Sequence, residues 1–249
     1  MVRAAVSLSS FRGLDRPLAA AIERAADAGI EGVEFCSLLE EADLRSVRRA
    51  LAERSLAAAG AHVHIDRLGE DTERTLTFYR DLGCERLVVT GIPPERFETE
   101  RAVETAAQRL DGLAVALGAY GVSVHYHDAG YEYVDLGGRT ALEYLIELTE
   151  RVGFDLDAAN ALAAGVDPVG LLERLGRRAP LVHATDCDRE TGERVPLGSG
   201  DLDLAACVEA HAMGGGEWLI HEYEARPGES AAAVDEAVAD AAELLDSLR

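Results

Sequence analysis

The sequence contains no lysine, so all 24 of its basic residues are arginines, and they stand against 46 acidic residues. The resulting net charge of −22 argues against two classes of function. Binding to nucleic acid and to anionic membrane surfaces depends on basic side chains that neutralise phosphate, and an acidic surface repels both. Such a carboxylate-rich surface is typical of proteins that stay soluble at high salt, which favours a halophilic archaeon as the source. A GC-rich genome is the competing explanation, since it raises the arginine content without requiring an excess of acidic residues.

Long apolar runs and paired cysteines are missing as well. No stretch approaches the roughly 18 apolar residues of a membrane helix, and the opening residues MVRAAVSLSSFRG lack the apolar core of a signal peptide. We therefore expect a cytoplasmic protein. The cysteines stand singly, without a CxxC pair, which predicts reduced thiols rather than a disulfide framework or a zinc knuckle. They are Cys36, Cys84, Cys187 and Cys207.

Short runs rich in β-branched residues alternate with longer helical stretches along the whole chain. Eight strand–helix units predict an α/β fold, a single (β/α)8 TIM barrel formed by residues 1–249 as one domain. The segment after the first strand lacks the glycine-rich turn of a dinucleotide-binding sheet. The predicted strands are Arg3–Leu8, Gly32–Phe35, Ala58–Val63, Arg86–Thr90, Val122–Tyr126, Gly153–Asp157, Leu181–Ala184 and Trp218–Glu222.

Titratable side chains stand at the ends of most of these strands, where the active sites of such barrels lie. Asp157, His183 and Glu222 come from three consecutive strands, and oxygen ligands with a histidine suit Mn²⁺, Mg²⁺, Co²⁺ or Zn²⁺. His62 and His64 alternate along one strand, so both can face the barrel mouth. The complete set is Glu34, His62 with His64, His127 with Glu132, Asp157, His183 with Asp186, and Glu222.

Three other histidines have structural interpretations. His125 lies deeper than His127 on the same strand face and is predicted to be a packed, hydrogen-bonded core residue. His211 falls in the helical stretch Leu204–Met213, where a solvated or capping role is expected. His221 precedes Glu222 and should point towards the helices.

Four segments resemble the xylose isomerase-like barrel superfamily, specifically the sugar phosphate isomerase/epimerase group with its tagatose-epimerase and inosose-dehydratase relatives. They are YHDAGYEY at Tyr126–Tyr133, GFDLDAANALAAGVDP at Gly153–Pro168, LVHATDCD followed by VPLGSGDLD, and WLIHEYE. The segments occur in the order and spacing of that group.

The resemblance implies a divalent metal held at the ends of strands five to eight, with Asp157 rather than Asp155 as the sixth-strand ligand. His127 stands where the epimerases have Glu. Two groups on opposite faces of the substrate, His127 with Glu222 or Glu132 with Glu222, would relay protons through a cis-enediolate. The implied metal ligands are His127, Asp157, His183 and Glu222, and the expected substrate-binding residues are Glu34, His62, His64, Asp186, Arg189 and Arg194.

The function expected from this resemblance is a metal-dependent isomerase or epimerase of a small carbohydrate or polyol. A dehydratase or lyase acting on a keto-sugar or inosose, and a non-catalytic sugar-binding barrel, remain as alternatives. Thr185 replaces the lysine of the group, which weakens the case for a phosphorylated substrate unless Arg189 or Arg194 compensates. Ala129 and the negative charge argue against the abasic-site endonucleases. A homo-oligomer is expected from the resemblance alone.

Overall fold

The structure, a computed structural model, describes residues 2–70, 72–225 and 228–249. Eight parallel strands close into a barrel in the order β1-β10-β7-β6-β5-β4-β3-β2, which confirms the predicted (β/α)8 fold. The strands are β1 (Arg3–Ser7), β2 (Gly32–Phe35), β3 (Ala57–His64), β4 (Arg86–Thr90), β5 (Ser123–His127), β6 (Gly153–Asp157), β7 (Leu181–Ala184) and β10 (Trp218–His221). Two short strands, β8 (Asp186–Cys187) and β9 (Arg194–Val195), form a separate antiparallel hairpin.

Helices follow the strands and cover the outside of the barrel. They begin where the sequence supplies caps: the Thr99 hydroxyl accepts from Ala102 N, and Thr140 forms a capping box with Glu143. The helices are α1 (Leu18–Asp27), α2 (Leu44–Arg54), α3 (Ile65–Glu70), α4 (Thr72–Arg80), α5 (Glu100–Gly118), α6 (Ala141–Leu148), α7 (Ala158–Ala163), α8 (Pro168–Leu175), α9 (Leu204–Gly214) and α10 (Ala231–Leu248). Among the described residues, no helix combines the length and apolar character that crossing a membrane requires.

The interior of the barrel has an apolar floor and a polar layer above it. Because side chains alternate along each strand, successive inward positions fall in successive layers. The Trp218 ring fills the floor, and Gly32 on β2 leaves room for it. The other floor residues are Ala5, Ala59, Val88, Leu181 and Ile220. Because the floor is apolar, the polar layer at the C-terminal mouth is the part of the interior where chemistry can take place.

Replacing Gly32 with alanine should destabilise the barrel, because the added Cβ would lie 2.6 Å from two Trp218 ring carbons. We expect a loss of about 1–3 kcal/mol in the free energy of unfolding, the usual cost of overpacking a core. Gly112→Ala is the matched control, since this exposed helical glycine has open space around it. It should stabilise the protein by about 0.5–1 kcal/mol. Urea denaturation of both variants checks this, and an unchanged Gly32→Ala protein would contradict the packing described.

The structure confirms one of the predictions for the structural histidines and corrects another. His125 is buried, and its Nε2 lies 3.0 Å from the Ser123 hydroxyl, as expected of a core residue. His211 was expected to be solvated or capping, but this was wrong, because its side chain is only 2% exposed. Its ring lies against Gly216, whose missing side chain makes the room.

Burial lowers the pKa of His211 to about 4, from 6.5 in an exposed histidine. As the pH falls, His211 therefore binds a proton near pH 6.5 in the unfolded chain but only near pH 4 in the folded chain. The contribution of a neutral His211 to stability is complete above pH 6.5 and falls as the pH drops towards 4. His211→Gln should therefore lose less stability between pH 7 and pH 5 than the native protein does. Urea denaturation at both pH values measures this, and an equal loss of stability in His211→Gln and in the native protein would contradict it.

Candidate metal and active site

Four side chains converge in the polar layer of the barrel. They come from β3 and from the three consecutive strands β5, β6 and β7, and one ligand atom from each lies within 4.8 Å of all the others. The rings stand close together, with centroids 4.5 Å apart for His127 and His183 and 4.8 Å apart for His62 and His127. We call His62, His127, Asp155 and His183 the inner cluster.

Glu34 and Asp155 supply the negative charge of this layer, and both are fully buried. Nε2 of His183 lies 2.9 Å from Oε2 of Glu34 and 3.2 Å from Oδ2 of Asp155. Nε2 of His62 lies 3.2 Å from the same Glu34 oxygen and 3.4 Å from the Asp155 oxygen. The two carboxylates thus hold the two imidazoles between them.

Burial disfavours charge on every group of this layer, but mutual attraction outweighs it. The charge of Glu34 and hydrogen bonds to Asp155 and Glu34 raise the pKa of His62 to about 10. The charges of Asp155 and Glu34 likewise raise the pKa of His183 well above its usual range. The pKa values of Asp155 and Glu34 are lowered in turn by the neighbouring histidines. Without a metal ion, imidazolium protons supply the positive charge that the carboxylates need.

Glu222 stands on the outer side of His183, just after β10. Its Oε2 lies 3.0 Å from Nδ1 of His183, and its Oε1 accepts a hydrogen bond from the Ser9 hydroxyl. Ser9 in turn lies 2.9 Å from the Ser7 hydroxyl. The hydrogen bond and the charge of His183 lower the pKa of Glu222 despite its burial, so this carboxylate is ionised. Ser9 was not among the residues predicted for the site, although the serine-rich run that contains it, Ser7–Ser10, lies at the end of the first strand.

Asp157 lies outside the inner cluster, although the resemblance made it the sixth-strand ligand. It follows Asp155 on the same strand face, but one step nearer the mouth. Both of its carboxylate oxygens lie 3.0 Å from the Arg194 guanidinium, in a bidentate pair. It also caps α7 by accepting from Asn160 N at 2.9 Å, and it accepts from the Thr185 hydroxyl at 2.8 Å. Both oxygens of Asp157 are engaged by these partners. Asp155 is therefore the β6 carboxylate that lies among the three imidazoles.

Two further carboxylates predicted for the site have structural partners elsewhere. Glu132 is buried beside Tyr126, which donates to it, and it also accepts from the backbone N of Ala129 at 3.0 Å. Tyr126 packs against Phe97 in the core, so Glu132 lies behind β5 rather than at the mouth. Burial raises the pKa of Glu132.

Asp186 organises the loop after β7 instead of facing the inner cluster. Its carboxylate accepts from the backbone amides of Cys187, Gly198, Gly200 and Leu202 at 2.9–3.1 Å. These bonds fix the hairpin of β8 and β9, and the hairpin carries Arg194 to Asp157.

Arg189 and His64, both predicted to contact substrate, lie outside the inner cluster. Arg189 is exposed on the loop between the hairpin strands. His64 ends β3 with its side chain 52% exposed, beside Asp66. Of the predicted substrate contacts, the structure brings Glu34 and His62 into the polar layer.

The inner cluster could hold a divalent metal ion. The buried atoms Oδ1 of Asp155 and Oε1 of Glu34 have no hydrogen-bond partner among the described residues, so their lone pairs are available. The carbonyl oxygen of Asp155 can only accept, so Nδ1 of His127, 3.1 Å away, must donate to it. That bond leaves Nε2 of His127 with a lone pair for a metal.

Solved structures of other proteins have the same fold. A sugar phosphate isomerase/epimerase from Parabacteroides distasonis ATCC 8503 superposes with a TM-score of 0.81 at 17% identity, covering 98% of this chain and 93% of that chain. A D-psicose 3-epimerase solved in the presence of D-fructose gives 0.72 at 13% identity and covers 99% of both chains. A probable 3-DHS dehydratase from Bacillus anthracis gives 0.72 at 14% identity, covering 98% and 99%. At such identities the likeness shows the fold alone.

Sequence comparison identifies the family. No curated protein matches the chain at the sequence level. A family model described as xylose isomerase-like TIM barrel matches residues 22–248, which is nearly the whole chain. This protein therefore belongs to the xylose isomerase-like TIM-barrel family.

Proposed function

We propose that this protein is a metal-dependent isomerase or epimerase of a small carbohydrate or polyol. The observation that carries the proposal is the inner cluster at the barrel mouth, flanked by the ionised carboxylate of Glu222. Solved structures with the same fold include proteins described as a sugar phosphate isomerase/epimerase and a D-psicose 3-epimerase, which supports the reaction class.

The metal would be held by His62, His127, Asp155 and His183. When bound, the ion would act as a Lewis acid on the substrate oxygens and make a neighbouring C–H bond acidic. Three imidazoles and one carboxylate suit Mn²⁺, Co²⁺ or Zn²⁺ better than Mg²⁺, which prefers oxygen ligands. Glu34, 2.9 Å from His183, adds a second negative charge beside the ion.

Glu222 would take the substrate proton. It is ionised and lines a small pocket at the mouth together with Thr185 and Arg194. Ser9 donates to one of its oxygens, and the other lies beside His183. These two contacts fix the orientation of the carboxylate, so one oxygen can approach a substrate C–H without a change of rotamer.

His127 lies across the inner cluster from Glu222, because His183 stands between the two residues. His127 ends β5 at the mouth, whereas Glu132 lies behind that strand. In this proposal His127 helps to hold the metal that would orient the substrate, and Glu222 moves the proton on one face of the substrate, which suffices for isomerisation. Epimerisation also needs a proton on the opposite face, which water at the open mouth supplies.

Exchange of substrate protons with solvent tests the proposal. The protein is loaded with Mn²⁺, Co²⁺ or Zn²⁺ and incubated in D2O with a panel of ketoses, aldoses and inososes, and the products are identified by NMR. Deuterium should enter the carbon next to the carbonyl, and an isomer or epimer should accumulate. Loss of water from any substrate would favour the dehydratase reaction instead. Absence of exchange in every loaded sample, with sugar binding retained, would favour a non-catalytic barrel.

A further inference from the structure

A further cavity lies on the barrel rim, outside the inner cluster but on the same side of the barrel. It opens at the C-terminal ends of β3 and β4, between α3 and α5, and has a volume of about 470 Å³. Ile92 and Ala106 give it an apolar floor, while His64, Asp66, Arg96 and Arg109 supply its polar lining. We call it the rim groove.

The charge of the rim groove is opposite to that of the protein as a whole. The chain carries a net charge of −22, yet this groove has two arginines against one aspartate. Nη2 of Arg109 lies 3.1 Å from Oδ1 of Asp66, so one cation is paired. Arg96 is exposed and forms no ion pair with the part of the chain that the structure describes. Its charge remains available to a ligand.

The backbone is shaped to hold His64 in this groove. Gly91, which follows β4, has a φ of +77°, and a Cβ there would lie 2.1 Å from the His64 ring. A side chain at position 91 would be strained in this conformation and would also displace the imidazole. Nδ1 of His64 lies 3.3 Å from the backbone N of Asp66. That amide can only donate, so Nδ1 accepts and Nε2 of a neutral ring carries the hydrogen.

The rim groove lies within reach of the inner cluster. His64 is two residues beyond His62 on β3, and two residues of a strand span about 7 Å. A ligand with one end at His62 can therefore place its other end near His64. The chain of a small sugar acid or sugar phosphate is long enough for this separation.

We propose that the rim groove is a binding subsite for a small oxyanion, a phosphate or carboxylate group, carried on the far end of the substrate. Arg96 supplies an unpaired guanidinium, Arg109 supplies further donors beyond those that face Asp66, and His64 Nε2–H supplies another hydrogen bond. Only the identity of the molecule that carries the anion rests on the proposed function. The anion site itself is independent of any reaction.

Anion binding to the metal-free protein tests the site without catalysis. Inorganic phosphate and acetate are titrated separately at low salt, and binding is followed by calorimetry and by the NMR signals of His64. We expect at least one anion to bind and shift His64, and Arg96→Gln to weaken this binding by roughly tenfold, the effect of losing a charge-assisted contact. Arg49→Gln on α2, an exposed arginine outside the groove, should bind as the native protein does. The stronger of the two anions identifies the group.

Two results would overturn the inference. One is that neither anion binds, and the other is that Arg96→Gln and Arg109→Gln bind the anions as tightly as Arg49→Gln does. Gly91→Ala adds a variant that keeps both arginines, and its anion affinity should fall because His64 is displaced. If anions bind but no sugar exchanges protons, the anion site stands and the proposed function fails.

Discussion

Asp155→Asn is expected to abolish stoichiometric binding of divalent metal, while Asp157→Asn retains it. Asp155 lies among the three imidazoles with a buried, unpartnered oxygen, and Asp157 is occupied by Arg194. Loss of an outer-shell partner alone costs metal affinity about 10- to 100-fold, so loss of a ligand should cost more than about 100-fold. Calorimetric titration of the metal-free proteins with Mn²⁺, Co²⁺ and Zn²⁺ measures both affinities.

The two aspartates are a matched pair, since they occupy the same strand two residues apart and both are buried. Circular dichroism verifies that each variant is folded before titration, and His62→Gln offers a second way to remove a ligand. Equal loss in both aspartate variants would mean that both carboxylates take part. Loss in Asp157→Asn alone would contradict the arrangement and restore the ligand set implied by the resemblance.

Glu222→Gln should reduce proton exchange on any accepted substrate by at least about 100-fold, the lower range for a general base. The amide has nearly the same shape and can still accept from Ser9, but it cannot take up a proton. Metal affinity should change far less than in Asp155→Asn, because Glu222 touches the outer nitrogen of His183. Deuterium incorporation under saturating metal and substrate measures the effect.

Glu209→Gln is the control for this prediction, because Glu209 is an exposed residue of α9 and does not line the mouth pocket. It should exchange protons at nearly the native rate. Native exchange in Glu222→Gln would assign the proton transfer to another residue. A loss of exchange that excess metal restores would instead make Glu222 a metal ligand.

The sequence contains strong information about the fold because each strand is short, apolar and bounded by clear signals. The predicted strand Gly153–Asp157 has the bounds seen in the structure, and Ala58–Val63 is extended by one residue at each end. In the structure, helix starts are marked by capping residues such as Thr99, whose hydroxyl accepts from Ala102 N. His211 could not be placed from the sequence, because its burial depends on contact with Gly216 across the turn that leads into β10.

The site was predicted in part, since residue types and strand ends are visible in a sequence but depth is not. Asp155 and Asp157 are equivalent in strand alternation. What separates them is Arg194, which reaches Asp157 from a hairpin more than thirty residues away in the chain. The Asp186 contacts that fix this hairpin are made with backbone amides, which leave no mark on a sequence. Glu132 was also a candidate, because a sequence does not show on which side of its strand a loop residue lies.

The acidic, lysine-free composition is an indication about solubility and does not indicate which reaction the site catalyses. A halophilic source and a cytoplasmic location stay predictions, and so does a homo-oligomer. The barrel nevertheless concentrates three carboxylates, Glu34, Asp155 and Glu222, around His183. That arrangement favours a cation in the polar layer, whether imidazolium protons or a metal ion supplies the charge.

Anomalous diffraction from crystals loaded with Mn²⁺ tests the proposed metal site, because it locates the ion. We expect one strong peak bounded by His62, His127, Asp155 and His183, with the Arg194–Asp157 pair intact. A peak bounded by Asp157, His183 and Glu222, with Arg194 displaced from Asp157, would contradict it.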